Sequence, residues 1–109
     1  MIIVIATVYV AAGRRAALLE RFLRLVPLVH AESGCLEYGP AVDLETRLPA
    51  QGDLDPDRFV VLEKWDSLEA LEDHLIAPHM IEYRSDVKGM IDRVELQVLA
   101  PVNKISSGS

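Results

Sequence analysis

The chain has 109 residues, of which 50% are hydrophobic and 26% charged, and its formal net charge is −6. This length and composition predict one domain with a single modest core and exclude a disordered chain, while the negative charge argues against nucleic acid and other polyanionic partners. Cys35 is the only cysteine, so an intramolecular disulfide and a cysteine-based zinc cluster are excluded and a reducing, cytoplasmic location is expected.

The first predicted element is a strand. Residues 2–10 are rich in β-branched side chains and end at Ala11-Ala12-Gly13, and the length of this run favours a strand buried on both faces. The run is interrupted by Thr7 and Tyr9, it is too short to span a bilayer, and no basic segment precedes it. We therefore expect a soluble protein without a membrane partner.

A helix of about four turns is predicted from Arg14 onward, because apolar residues recur there at three- and four-residue spacing. Its expected buried face consists of Leu18, Phe22, Leu25, Val26 and Val29. Pro27 lies inside this segment and is expected to kink or shorten the helix, since proline lacks the backbone N–H.

A second strand is predicted in two pieces, 35–38 and 41–44, with a bulge or an edge position at Gly39-Pro40 between them. A long polar loop, 45–58, follows it. The next segment, 59–65, is rich in aromatic and β-branched residues and predicts a third strand.

A capped helix is predicted after the third strand, starting near Ser67, whose side chain can accept from a free N–H group. Its expected buried stripe consists of Leu68, Leu71 and Leu75, with His74 beside it. Pro78 ends this helix or opens another at its first position.

The C-terminal part predicts a further helix and a last strand. Helix is expected to continue over 80–92, with core contacts from Ile81, Tyr83, Val87 and Met90. Residues 93–99 alternate apolar and polar side chains, which predicts a half-buried strand with Val94, Leu96 and Val98 inside. The tail, 101–109, is expected to be mobile.

The order strand, helix, strand, strand, helix, strand predicts an α+β class domain over 1–100, with the antiparallel sheet of a ferredoxin-like split βαβ sandwich. Helices on one face of such a sheet leave the other face open. The apolar residues of the first and third strands therefore favour a homodimer formed through the open sheet face.

Two segments of the chain resemble the antibiotic biosynthesis monooxygenase superfamily. They are the E-x-G-C-L-x-Y motif at 32–38 and the run from Glu63-Lys64-Trp65 to His74 and His79. The resemblance implies a dimeric α/β barrel of ferredoxin-like subunits. It also implies oxidation of quinols or aromatic polyketides by molecular oxygen, with neither a metal nor an organic cofactor.

The branches of this superfamily differ at a few positions. The haem-opening branch uses an asparagine on the first strand, and a tryptophan and a haem-ligating histidine on the helix after the third strand. Aligned on 65–67, those positions hold Thr7, His74 and Arg84 here, so the haem-opening set is absent. Some polyketide-oxidising members carry an asparagine where this chain has Val61. The resemblance that remains is to the quinol-monooxygenase-like branch, which implies a small phenolic or quinol substrate.

His74 and His79 are the candidate catalytic bases, because a cofactor-free oxidation needs a base to form the phenolate and histidine titrates in the useful range. The structural alternative has His74 bonded to a backbone carbonyl and His79 facing water at a helix start. The third histidine, His30, is interpreted as a cation that relieves the helix dipole.

Four further residues are candidates for substrate binding. Trp65 and Tyr38 have the flat rings that stack on an aromatic ligand, although core or dimer contacts explain them equally well. Glu63 shares a strand face with core residues, so it either lines a pocket or pairs with a partner, for which Arg84 is the candidate.

A metal site is not expected. His74 and His79 are five residues apart, whereas two ligands on one helical face prefer a spacing of four. A triad of two histidines and a carboxylate for non-haem iron would need Glu63 or Glu72 as well, and nothing in the sequence fixes that geometry.

Two functional hypotheses follow from these residues. The first is a cofactor-independent monooxygenase acting on a small phenol or quinol, with His74 as base. The second is a non-catalytic dimer, stress-related or devoted to binding, that holds a small aromatic ligand in the same cavity. An open pocket beside His74 favours the first hypothesis, whereas a histidine packed dry against leucines favours the second.

Overall fold

The computed structural model describes residues 1–102, which form four strands and three helices. In chain order they are β1 (Ile2–Val10), α1 (Arg15–His30), β2 (Cys35–Ala41), β3 (Arg58–Trp65), α2 (Leu68–Leu75), α3 (Pro78–Asp86) and β4 (Ile91–Leu99). The strands form one antiparallel sheet in the order β2-β3-β1-β4, which confirms the predicted ferredoxin-like α+β fold. Of the tail expected to be mobile, 103–109 lies outside the described residues. None of the helices within 1–102 is long and apolar enough to cross a membrane.

Helix α1 continues through Pro27 to His30, so the predicted shortening is wrong. A proline removes only its own N–H from the helix, and the carbonyl of Pro27 still accepts a hydrogen bond from the backbone N of Ala31 at 3.3 Å. The predicted apolar face packs on the sheet, with four residues buried, namely Leu18, Phe22, Leu25 and Val29.

Strand β2 is a single edge strand that runs through Gly39-Pro40 and ends at Ala41. The predicted edge position is confirmed, but the irregularity in its pairing lies between Cys35 and Glu37. The second piece of the predicted strand, from Val42 onward, is loop. An edge strand tolerates Pro40 because only one of its sides is hydrogen-bonded.

Helix α2 begins as predicted, since the Oγ of Ser67 accepts from the backbone N of Ala70 at 3.1 Å. The predicted leucine stripe is confirmed for Leu71 but wrong for the other two leucines, because Leu68 is 54% exposed and Leu75 39% exposed. Leu71 and His74 are the residues of α2 that are buried. His74 turns inward because the rings of β2 and β3 offer it a packing surface, as described below.

Helix α3 ends at Asp86, earlier than predicted, and β4 already begins at Ile91. Gly89 explains the break, since its φ of +93° belongs to the left-handed region that ends helices. Tyr83 and Val87 are buried as predicted, whereas the predicted core contact Ile81 is 55% exposed.

Strand β4 departs most from the predicted burial. Its three inward positions, Val94, Leu96 and Val98, pair with buried residues of β1 and share their face, yet they are 48–50% exposed. Their exposure shows that the helices leave β4 uncovered within the part of the chain that the structure describes. The face of the sheet towards the helices therefore remains open along this edge.

Candidate active site

A cavity of about 410 Å³ lies between the sheet and the helices, next to the uncovered edge strand β4. Its lining is largely apolar, and the polar side chains in it are Tyr38, Glu63, His74, Tyr83, Arg84 and Lys88. A mostly apolar cavity of this size with a few converging polar groups is typical of a small-molecule site.

His74 is an almost fully buried polar group in the cavity lining. It is 2% exposed, and its Nδ1 donates to the Oε2 of Glu32 at 2.9 Å. His79 donates to the same oxygen through its Nε2, at 2.7 Å. The predicted backbone-carbonyl partner of His74 is therefore wrong, because its partner is a carboxylate from the connection between α1 and β2.

Glu32 is a site residue that the sequence pattern alone does not identify. It lies 42 positions before His74 in the chain, and its own side chain is only 12% exposed. The available signal is its place as the first residue of the E-x-G-C-L-x-Y motif, which indicates the family but not the contact with His74.

The ring nitrogens of His74 have different environments. Because Nδ1 is engaged by Glu32, Nε2 is the nitrogen that remains for a molecule in the cavity. Burial lowers the pKa of His74 below its ordinary value, against the opposing effect of the Glu32 hydrogen bond and charge. The imidazole is consequently neutral at pH 7, which is the form that accepts a proton.

Two aromatic rings hold the imidazole in place. The ring centroid of His74 lies 4.6 Å from that of Trp65 and 5.3 Å from that of Tyr38. Tyr38 lines the cavity, whereas Trp65 is fully buried behind it and is not part of the lining. Burial also raises the pKa of Tyr38, so that its hydroxyl stays protonated.

Glu63 and Arg84 both line the cavity, but they do not pair with each other, so the predicted ion pair is wrong. The Nε1 of Trp65 donates to the Oε1 of Glu63 at 2.9 Å. Arg84 instead donates through Nη2 to the carbonyl of Leu75 at 2.7 Å. That carbonyl belongs to the last residue of α2, where the helix leaves acceptors unpaired and a cation is favoured.

Burial raises the pKa of Glu63 to about 7, even though the hydrogen bond from Trp65 lowers it, and the negative charge of Glu32 adds to the rise. The folded protein thus binds a proton on Glu63 more tightly than the unfolded chain, whose ordinary value is 4.5. A neutral carboxyl in the cavity can donate a hydrogen bond as well as accept one.

This shift predicts a pH-dependent stability. Between pH 4.5 and about 7 the unfolded chain releases the Glu63 proton first, so the free energy of unfolding should fall as pH rises, by up to about 3 kcal/mol. Glu63→Gln should remove this contribution and flatten the decline. Urea unfolding at several pH values would measure it, and equal slopes in both proteins would contradict the raised pKa.

The remaining histidines lie outside the cavity lining. His79 is 23% exposed and lines a smaller polar pocket of about 340 Å³ between α1 and α3. His30 donates through Nε2 to the carbonyl of Tyr38 at 2.8 Å, so it anchors β2 to the end of α1. Within 1–102, no group of three or more His, Cys, Asp and Glu side chains has an arrangement that could hold a metal ion.

The chain is similar to known proteins along most of its length. The family model for antibiotic biosynthesis monooxygenases matches residues 1–86. The probable quinol monooxygenase YgiN of Escherichia coli K12 is 38% identical over 103 residues, which cover 93% of this chain and 98% of that protein.

Solved structures show the same architecture. PA3566 from Pseudomonas aeruginosa superposes with a TM-score of 0.78 at 27% identity, over 93% of each chain. Rv0793 from Mycobacterium tuberculosis gives a TM-score of 0.76 at 28% identity, over 96% of this chain and 98% of that one. Together with the family model and the Escherichia coli relative, these similarities show that the chain belongs to the antibiotic biosynthesis monooxygenase family.

Proposed function

We propose that this protein is a cofactor-independent monooxygenase that oxidises a small phenol or quinol with molecular oxygen. The observation that carries the proposal is His74, a buried neutral imidazole whose Nε2 is left for the contents of an apolar cavity of about 410 Å³. The similarity to a probable quinol monooxygenase supports the same class of substrate.

In the proposed reaction, Nε2 of His74 removes the hydroxyl proton of the substrate, and the resulting phenolate is electron-rich enough to react with oxygen. A carbon–oxygen bond forms at a ring carbon. That carbon then loses its proton as the oxygen–oxygen bond breaks, and the distal oxygen leaves as water with this proton and the one held by His74. A phenol and oxygen thus give a quinone and water, without any external reductant.

The other predicted site residues take supporting roles in this proposal. Tyr38 contacts the substrate ring, while Glu63 and Arg84 face its oxygen substituents from opposite elements, β3 and α3. Trp65 is fully buried, so we assign it the positioning of Glu63 through the hydrogen bond from Nε1. His79 does not line the cavity, and we assign it a contact with Glu32 instead of a catalytic role.

Oxygen uptake tests the proposal. Metal-stripped protein would be mixed with a panel of quinols and hydroxylated aromatics, and uptake would be compared with that of the same solutions without protein. Uptake well above the protein-free rate is the expected result. Binding of a panel member without uptake would contradict the oxidation and favour the non-catalytic ligand-binding dimer, which uses the same apolar cavity.

We also propose that two copies associate through the face of the sheet that points away from the helices. On this face Ile5 pairs with Leu62 and Ile3 pairs with Leu99, and both leucines are more than 40% exposed. Sedimentation equilibrium should give twice the 12.1 kDa of the chain, and Leu62→Lys should shift it towards the monomer. A monomer at micromolar concentration would contradict the dimer.

The cytoplasmic location stays a prediction.

A further inference from the structure

We propose that Glu32 is a positioning residue for the base, which holds His74 in the tautomer with its proton on Nδ1 and leaves Nε2 unprotonated towards the cavity. The inference rests on the proposed role of His74. It assigns a function to a side chain that does not touch the cavity contents itself, and it gives His79 a defined part in the same contact.

Both imidazoles contact the same oxygen of the Glu32 carboxylate. The Oε2 of Glu32 lies 2.9 Å from Nδ1 of His74 and 2.7 Å from Nε2 of His79. A carboxylate oxygen only accepts, so the favoured arrangement has both nitrogens protonated and donating to it. A lone pair from either ring pointing at this oxygen would be repelled.

This arrangement has a direct consequence for His74. A neutral imidazole carries one ring proton, so a proton held on Nδ1 leaves Nε2 as the acceptor. The rings of Trp65 and Tyr38 pack against the imidazole and restrict its rotation, which keeps the two nitrogens from exchanging places. Without Glu32, the buried ring would have no described partner that selects this tautomer.

The same geometry argues against a proton relay through Glu32. To pass a proton onward to His79, the carboxylate would have to meet an unprotonated Nε2 on that ring, which is the repulsive arrangement. His79 therefore acts as a second donor that shares the carboxylate charge. The side chain of His79 is 23% exposed, so it lies on the solvent side of the Glu32 carboxylate.

Several groups set the proton affinity of His74. Glu32 raises its pKa through the hydrogen bond and through charge, whereas His79 and Arg84 lower it. Neighbouring groups from the sheet, which also face the cavity, are the neutral Tyr38 and the carboxyl of Glu63. Removing Glu32 and removing His79 should thus shift the pKa of His74 in opposite directions.

Nitrogen NMR on substrate-free protein tests the inference without requiring turnover. Long-range proton–nitrogen spectra of the imidazoles should show wild-type His74 with its proton on Nδ1. In Glu32→Gln the Nε2-protonated form should appear and the pKa of His74 should fall, because the charge that stabilised the imidazolium is lost. In His79→Gln the tautomer should persist and the pKa should rise.

A matched control is Glu20→Gln, which removes one carboxylate from the exposed face of α1, where no hydrogen bond or ion pair is described for it. This variant should leave the tautomer and pKa of His74 unchanged. In the oxygen-uptake assay, kcat/KM of Glu32→Gln should fall by about 10²-fold, at the lower end of what a positioned base contributes. The acid limb of its pH profile should move to lower pH with the pKa measured by NMR.

Two results would overturn the inference. One is a wild-type His74 protonated on Nε2, which needs no variant to observe. The other is a Glu32→Gln protein with the wild-type tautomer and pKa. If the NMR results are as expected but the protein takes up no oxygen, the proposed oxidation is contradicted. The positioning of His74 by Glu32 is then still supported.

Discussion

Replacing His74 with asparagine should lower the rate of oxygen-dependent substrate oxidation by about 10²- to 10⁴-fold, the range that a positioned general base contributes. The amide nitrogen of asparagine occupies nearly the position of Nδ1, so the hydrogen bond to Glu32 is retained and the carboxylate keeps its partner. What is lost is Nε2, the nitrogen that accepts the substrate proton. The loss should appear mainly in kcat, because this nitrogen acts in the transition state.

Oxygen uptake at saturating substrate would measure this effect, and thermal unfolding would show that the variant is folded. Asp73→Asn is the matched control, since it places the same side chain at the neighbouring exposed position of α2. It should react at the wild-type rate. A His74→Asn protein with undiminished kcat would show that another group removes the proton.

Replacing Gly34 with alanine should lower the free energy of unfolding by about 3 kcal/mol, from backbone strain and overpacking together. The φ of Gly34 is +84°, a conformation that disfavours a side chain, and an added Cβ would lie 2.6 Å from the Cβ of Ala70 on α2. Relief requires α2 to move away from the loop that carries Glu32. We therefore expect this variant to disturb the contact between Glu32 and His74 as well.

Three further variants separate the causes of this destabilisation. Gly13 has a similar φ of +77° with nothing within 4 Å of an added Cβ, so Gly13→Ala should cost only about 1 kcal/mol. Adding Ala70→Gly to Gly34→Ala removes the clashing methyl group and should recover part of the loss, despite the lower helix propensity of glycine. Urea unfolding of the wild type, Gly34→Ala, Ala70→Gly and the double variant gives the coupling energy between the two positions. Equal losses in Gly34→Ala and Gly13→Ala would show that the contact with Ala70 is relieved at no cost.

Local patterns predicted most of the fold because helix periodicity and capping depend on residues close together in the chain. The spacing of Leu18, Phe22, Leu25 and Val29 identified α1, and the hydroxyl of Ser67 identified the start of α2. Errors occurred where burial depends on distant neighbours. Leu68 was expected inside and His74 beside the stripe, but aromatic rings from β2 and β3 offered a packing surface to the histidine instead.

The same distinction between local patterns and distant contacts applies to the candidate site. Periodicity, capping and the family motifs identified His74 as a base candidate and placed Glu63 on the inward face of β3, because both properties follow from position within one element. Periodicity cannot report on contacts between elements. Trp65 proved to be the partner of Glu63, and Arg84 bonds the end of α2 instead.

The amino-acid sequence by itself determined the order of the elements, the class of the fold and the family, since these depend on periodic patterns and short motifs within single segments of the chain. The tertiary structure alone decided three features: the cavity left beside the uncovered strand β4, the raised pKa of Glu63, and the meeting of His74 and His79 on Glu32. Each of these depends on the distance and the dielectric environment between residues far apart in the chain, which are created only when the helices pack on the sheet.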